Sequence, residues 1–183
     1  ALVGNLTLGF SASSETTSTN LSMAMFQLAL NPKIQDRCYE ELSAVVDNGR
    51  LVEYSDHRHL PYTTAVCNEA LRYLSTLMLG IPHRATETFK VDNYVIPKDS
   101  LILANLWAMS RDKKYFTNAD HFDPDNFYNK ELPKECYSIP FSLGPRSCPG
   151  EMLAKMEVFC FLTALIQKYK IELADGVSRE DKR

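Results

Sequence analysis

The helical patterning of this chain, broken at a few proline-marked stops, limits its fold more than any other feature. The first thirty residues read as one helix, with Leu21, Ala24, Met25, Leu28 and Ala29 at helical spacing. Asn31-Pro32 supplies a stop, an N-cap and a proline at the first position of a second helix. That helix is expected from Pro32 to about Val46, with Ile34, Cys38, Leu42 and Val45 on its inner face, and Asp47-Asn48-Gly49 ends it. A third helix follows Leu60-Pro61, covering roughly Tyr62 to Leu74, with Val66, Ala70 and Leu71 inward. A last long helix opens at Cys148-Pro149-Gly150 and runs to about Tyr169, with Leu153, Met156, Cys160, Thr163 and Leu165 along it, and Ile171–Leu173 reads as a short strand. Extended segments lie between. Thr86–Val91 and Tyr94–Ile96 flank the turn signal Asp92-Asn93, and Pro97–Ser100 forms a second turn before the apolar strand Leu101–Ala104. The expected class is mainly α with small β-sheets (α+β).

Two stretches do not fit a plain scaffold. Ser11 to Asn20 is small and polar with low helix propensity, inside an otherwise apolar helix, which points to a local distortion or a polar task. About Arg111 to Gly144 carries Pro, Asn, Asp and aromatics without period, and irregular segments of that length in a domain are usually functional.

Composition narrows the class. With 183 residues, 45% hydrophobic and 23% charged, the chain is neither disordered nor low-complexity, and one domain is the default. A net charge of −3 gives no footprint for a nucleic-acid partner. No apolar run approaches the roughly 18–20 residues that span a bilayer, and no signal peptide opens the chain. The chain starts at Ala1, already inside a patterned segment, so the expectation is a piece of a longer protein. Five cysteines without CxxC spacing (Cys38, Cys67, Cys136, Cys148, Cys160) argue against a disulfide framework. The sequons at Asn5 and Asn20 fall within helix and are discounted. His57 and His59 stand two apart without partnering ligands and read as solvated loop residues.

The segment Phe141-Ser142-Leu143-Gly144-Pro145-Arg146-Ser147-Cys148-Pro149-Gly150 concentrates chemistry immediately before a helix. Cys148 is expected at the N-cap, where unpaired N–H groups and the positive helix end favour an anionic sulfur. Gly144 and Gly150 would let the backbone pass close to a flat ligand, and Arg146 can pair with a carboxylate. A thiolate beside a fixed arginine suits a haem iron with propionates, although a buried cysteine at a helix start fits the bare pattern equally.

These residues match, position for position, the haem-binding loop Phe-x-x-Gly-x-Arg-x-Cys-x-Gly, and the chain resembles the cytochrome P450 family. Other segments follow in the family's order. Glu69-Ala70-Leu71-Arg72 resembles the Glu-x-x-Arg of the K helix, an i,i+3 pair on one face. Ala12-Ser13-Ser14-Glu15-Thr16-Thr17 resembles the oxygen-binding motif of the I helix, and Phe122–Phe127 resembles the Pro-Glu-Arg-Phe segment. The resemblance implies residues 1–183 as the C-terminal portion of one larger domain. It implies haem b with iron ligated by Cys148, the thiolate donating electron density that promotes O–O cleavage. It further implies Arg146 and His83 on the propionates, and Phe141, Gly144, Gly150 and Ala12 beside the haem. Thr16 with Glu15 would be the acid–alcohol pair that delivers protons, and Glu69 with Arg72 a structural lock. Leu77, Leu79, Ile81 and Ser13 are candidate substrate contacts that read equally as core.

The implied activity is a monooxygenase inserting one oxygen atom of O2 into an apolar organic substrate (xenobiotic, steroid or fatty-acid-like). The best match is the animal microsomal type, on the cytosolic face of the endoplasmic reticulum membrane, held by an N-terminal anchor outside this segment. Thr64 and Asn68 stand where mitochondrial members carry lysines, so the implied electron donor is an NADPH-dependent flavoprotein reductase, with Lys134 and Lys155 in its docking patch. A haem-thiolate isomerase or dehydratase and a non-catalytic fragment unable to bind haem are the alternatives, and the isolated segment is expected to be inactive. Four residues depart from the family pattern: Ser13 for glycine, Asn126 for the arginine of the Glu-x-x-Arg triad, Met78 for proline, and Pro149 directly after the ligand. Pro149 has no N–H to offer the sulfur, which implies a more electron-rich thiolate.

Overall fold

The computed structural model describes residues 2–46 and 49–177; Asp47 and Asn48, expected to end the second helix, lie outside them. Four long helices carry the fold: α1 (Leu2–Leu30), α2 (Pro32–Val45), α3 (Pro61–Leu74) and, last in the chain, α5 (Glu151–Lys168). A short α4 (Leu106–Met109) and 3-10 turns at Tyr54–His59, Pro124–Asn126, Lys134–Tyr137 and Ile139–Phe141 lie between them. Four strands make two small antiparallel sheets: β1 (His83–Arg84) pairs with β4 (Leu101–Ile102), and β2 (Phe89–Val91) with β3 (Tyr94–Ile96). The fold is α+β and mostly helical, as expected.

The stops act as their chemistry predicts. Pro32 and Pro61 open α2 and α3, where a missing N–H costs nothing. The β2–β3 hairpin turns at Asp92, which takes a positive φ of 50°, a conformation an aspartate tolerates. The N-terminus of α3 has no local side-chain cap; instead the Glu41 carboxylate of α2 accepts the N–H groups of Tyr62 (2.8 Å) and Thr63 (2.7 Å) and the Thr63 hydroxyl (2.7 Å). One helix thereby orients the next.

α1, α2, α3 and α5 meet over a core that includes Ala24, Leu28, Leu42, Val66, Phe159 and Leu162. A second cluster, with Leu106, Phe116, Phe127 and Ile139, lies under the irregular stretch. That stretch is therefore a packed segment of short 3-10 turns and not an open loop.

Several inner-face expectations are corrected. On α2 the buried set is Gln35, Cys38 and Leu42, while Val45 is exposed. Gln35 is buried because its side-chain amide donates to and accepts from the Ile171 backbone, at 2.9 and 2.7 Å. No strand forms at Ile171–Leu173; the Gln35 amide takes the place of a neighbouring strand. On α5 the buried face runs through Val158, Phe159, Leu162, Thr163 and Ile166, leaving Leu153 and Met156 exposed. His57 is no solvated loop residue: it is half-buried, stacked on Tyr54 with ring centroids 4.7 Å apart, its Nδ1 2.6 Å from the Tyr54 carbonyl.

Candidate functional site

Cys148 sits on a loop shaped by two residues in the left-handed region, Ser142 (φ 62°) and Gly144 (φ 82°). Only at Gly144 does conformation demand glycine; Gly150 has an ordinary φ of −95°, and a Cβ there would meet the Cys148 Sγ at an unstrained 3.8 Å. The Cys148 N–H donates to the Phe141 carbonyl at 2.8 Å, and the Ser147 N–H to the Gly144 carbonyl at 3.0 Å, so the loop closes back on its own start. The N-cap of α5 is Gly150, not Cys148, so the cysteine lies two residues ahead of the cap. Pro149 and Gly150 form the turn into α5, with the Glu151 N–H 3.5 Å from the Cys148 carbonyl.

Cys148 is the exposed cysteine; Cys38, Cys67 and Cys136 are buried and Cys160 half-buried. Burial pushes the Cys38 thiol up to about 12, and Cys67 and Cys136 are raised for the same reason. Arg146 and His83 are both exposed, and among the described residues neither forms an ion pair. Phe141 is half-buried against the main core.

The first residue of α5 ties the loop's flanks together. Glu151 Oε1 accepts from Ser138 Oγ (2.7 Å), ahead of the loop, and from Lys155 Nζ (2.6 Å), one turn into the helix. Lys155 Nζ in turn lies 5.5 Å from the centroid of the Phe141 ring. Burial works to raise the Glu151 carboxyl, but the hydrogen bonds from Lys155 and Ser138 hold it below its ordinary value. Lys155 is thus engaged, whereas Lys134 is exposed.

Glu69 and Arg72 form a fully buried ion pair, at 0% and 1% exposure, and that burial makes their pairing obligatory. Arg72 uses all five of its donors: Nε and Nη2 to the two Glu69 oxygens (2.7 and 2.6 Å), Nη1 to the Ser110 and Ala119 carbonyls (2.6 and 2.9 Å), Nη2 to the His121 carbonyl (3.1 Å). Glu69 Oε1 also accepts the Asp123 N–H (2.8 Å) and Asn126 Nδ2 (3.2 Å). Burial pushes the Glu69 carboxyl up, opposed by Arg72, Asp123 and Asn126. Asn126, a departure from the family pattern, completes this network with an amide in place of a guanidinium.

The polar stretch of α1 does not distort the helix, which is continuous from Leu2 to Leu30. Its hydroxyls return to their own helix: Thr16 Oγ1 donates to the Ala12 carbonyl (2.8 Å) and Ser13 Oγ to the Phe10 carbonyl (3.2 Å), so the side chains substitute for water and the turn holds. Glu15, Ala12 and Ser13 are exposed and Thr16 half-buried. One turn on, Asn20 is buried, and its Nδ2 donates to the Ala70 carbonyl of α3 at 3.3 Å, docking the two helices beside the Glu-x-x-Arg pair. Leu77, Leu79 and Ile81 are 45%, 50% and 68% exposed, which corrects their reading as core; they line an open face together with Met78.

The described residues thus combine a cysteine loop closed on itself, a buried Glu-x-x-Arg group anchoring the irregular segment ahead of it, and a long helix with a Glu-Thr pair. The cytochrome P450 sequence model matches residues 1–183. Cytochrome P450 2C23 of Rattus norvegicus is 40% identical over 165 residues, covering 89% of this chain and 33% of the relative. Cytochrome P450 2C8 of Homo sapiens is 39% identical over 178 residues (96% and 36%), and Cytochrome P450 2D16 of Cavia porcellus 34% over 177 (95% and 35%). The chain belongs to the cytochrome P450 family, and it spans about a third of the length of these relatives.

The family implies a haem, and the donor set suits one. Among the described residues no three His, Cys, Asp or Glu side chains converge as a bare-ion site, whereas a porphyrin iron asks the protein for a single axial sulfur. Cys148 offers that sulfur on an exposed loop, and Arg146 and His83 are uncommitted groups suited to carboxylates.

Proposed function

We propose that the full-length protein is a haem-thiolate monooxygenase acting on an apolar organic substrate. The observation that carries this reading is the Cys148 loop: an exposed sulfur on a backbone closed by its own N–H to Phe141, in a chain of the cytochrome P450 family. When bound, haem b supplies the redox chemistry by which one atom of O2 enters the substrate and the other leaves as water.

This chain's residues hold and orient. Cys148 would hold the iron through its sulfur, Arg146 and His83 would neutralise the propionates, and Phe141, Gly144, Gly150 and Ala12 would lie beside the haem. Thr16, its hydroxyl donated to Ala12, keeps its oxygen lone pairs available to orient water, and the exposed Glu15 carboxylate exchanges protons with solvent. The open apolar face at Leu77, Leu79 and Ile81, with Ser13, receives the substrate and excludes water there. Glu69 and Arg72 act structurally.

Electrons come from an NADPH-dependent flavoprotein reductase that docks near exposed Lys134, at the cytosolic face of the endoplasmic reticulum membrane. Among the described residues no helix is long and apolar enough to cross a membrane.

The test is the ferrous–carbon monoxide spectrum of the full-length protein. A red-shifted Soret band that disappears in Cys148→Ala is the expected result. A wild-type protein without that band, or a Cys148→Ala variant that keeps it, overturns the reading.

A further inference from the structure

We propose that Glu151 is a positioning residue for the Cys148 loop, clamping its two flanks through Ser138 and Lys155. The proposal rests on the reading of Cys148 as the axial ligand. The geometry behind it is a cross-link built on one oxygen. Glu151 Oε1 takes the Ser138 hydroxyl at 2.7 Å from the segment entering the loop and the Lys155 ammonium at 2.6 Å from the helix leaving it. Both flanks then reach the cysteine backbone. Ser138 accepts the Phe141 N–H through its carbonyl at 2.8 Å, Phe141 accepts the Cys148 N–H at 2.8 Å, and Lys155 sits 5.5 Å from the centroid of the Phe141 ring.

Without the Glu151 carboxylate, the only polar ties across the loop among the described residues are backbone hydrogen bonds on an exposed, turn-rich segment. Such segments open locally at low cost. With it, three separate stretches (Ser138, Phe141 and the first turn of α5) are held as one body. Glu151 does not touch the iron or the substrate on this reading. It acts through the placement of Cys148, as side chains that fix a metal ligand's orientation do.

Two measurements on the full-length protein test this. In the haem-free form, hydrogen–deuterium exchange of the Cys148 amide, whose N–H is held by the Phe141 carbonyl, followed on its own peptide by mass spectrometry, is expected to speed up roughly fivefold in Glu151→Ala, the factor that loss of one net hydrogen bond gives an opening equilibrium. In the loaded form, the ferrous–carbon monoxide spectrum of Glu151→Ala is expected to shift population from the red-shifted thiolate band to the neutral-thiol band. Glu151→Gln, whose amide oxygen can still accept from both partners, is expected to recover most of both signals. If Glu151→Ala does not accumulate as folded protein, Ser138→Ala removes the entering tie alone and is read in the same two ways. Wild-type amide exchange and a wild-type spectrum in Glu151→Ala, or in Ser138→Ala where that variant stands in, overturn the proposal while leaving the haem reading intact. A wild-type protein without the red-shifted band overturns the haem reading and this proposal with it.

Discussion

The buried Glu69–Arg72 group allows a quantitative test of what it holds together. An isolated buried ion pair can be replaced by neutral groups of similar volume at little cost, because losing its Coulomb attraction is offset by losing its desolvation penalty. Arg72 is not in that situation. Of its five hydrogen bonds, two go to Glu69 and three to the carbonyls of Ser110, Ala119 and His121. The single change Glu69→Gln leaves a buried guanidinium without its counter-charge, a loss of about 3–5 kcal/mol. The double change Glu69→Gln with Arg72→Met removes both charges yet still strands the two buried carbonyls of Ser110 and Ala119, each worth about 1–3 kcal/mol when unpaired. The double variant is therefore expected to remain at least about 2 kcal/mol below wild type, where a simple pair would return near it. Urea unfolding of the full-length protein, followed by far-ultraviolet circular dichroism, measures both. A double variant within about 1 kcal/mol of wild type refutes the assignment of Arg72 as the anchor of the irregular segment.

Other residues give shorter tests. Glu41→Ala removes the acceptor for three donors at the start of α3 and is expected to destabilise the protein by about 2 kcal/mol in the same unfolding assay. The Arg50 hydrogen bond, with that of the Glu53 N–H, holds the Asp56 carboxyl below the usual carboxylate range. Its folded value is depressed, so its contribution is present above the unfolded aspartate value of about 3.9 and is lost as pH falls through the lower folded value. Asp56→Asn should flatten that acid limb in a pH series of melting temperatures. Pro149→Leu should raise the ferric/ferrous potential by supplying an N–H near the sulfur, and a spectroelectrochemical titration showing no change or a fall refutes this. Thr16→Ala should divert reducing equivalents to hydrogen peroxide, read as product formed per NADPH consumed, and unaltered coupling refutes the role of Thr16.

The helices were legible because their signals are local. Pro32 and Pro61 mark helix starts by their own missing N–H, and the turn at Asp92-Asn93 declares the hairpin through residues that tolerate a positive φ. Which face of a helix is buried is not local. Gln35 looks like a surface residue until Ile171, far along the chain, supplies both a donor and an acceptor for its amide. Leu153 and Met156 keep helical spacing on α5 but are exposed, since the neighbours that pack this helix are laid against Val158, Phe159 and Leu162 instead. The polar middle of α1 allowed two readings, a distortion or a polar task, and the distortion did not form. Its hydroxyls bond to carbonyls one turn back, so low propensity did not become a break.

The site divides along the same line. Cys148, Arg146 and the Glu69–Arg72 pair stood out because each combines a special residue type with fixed spacing in one segment. The residues that place them did not. Ser110, Ala119 and His121 contribute only carbonyls, which every residue has, so no sequence pattern could single them out as the acceptors of Arg72. Asn126 read as a departure from a triad, and in the fold its amide reaches the Glu69 carboxylate. Lys155 read as a docking cation because charge count alone is visible in a sequence. In the fold its charge is spent on Glu151, which leaves exposed Lys134 as the better base for an acidic partner. A charge-reversal at Lys134 should therefore weaken reductase binding in a salt-dependent manner, whereas neutralising Lys155 should act first on the Cys148 loop. A titration in which Lys155→Gln changes only the binding constant, with the ferrous–carbon monoxide spectrum untouched, would reverse that order.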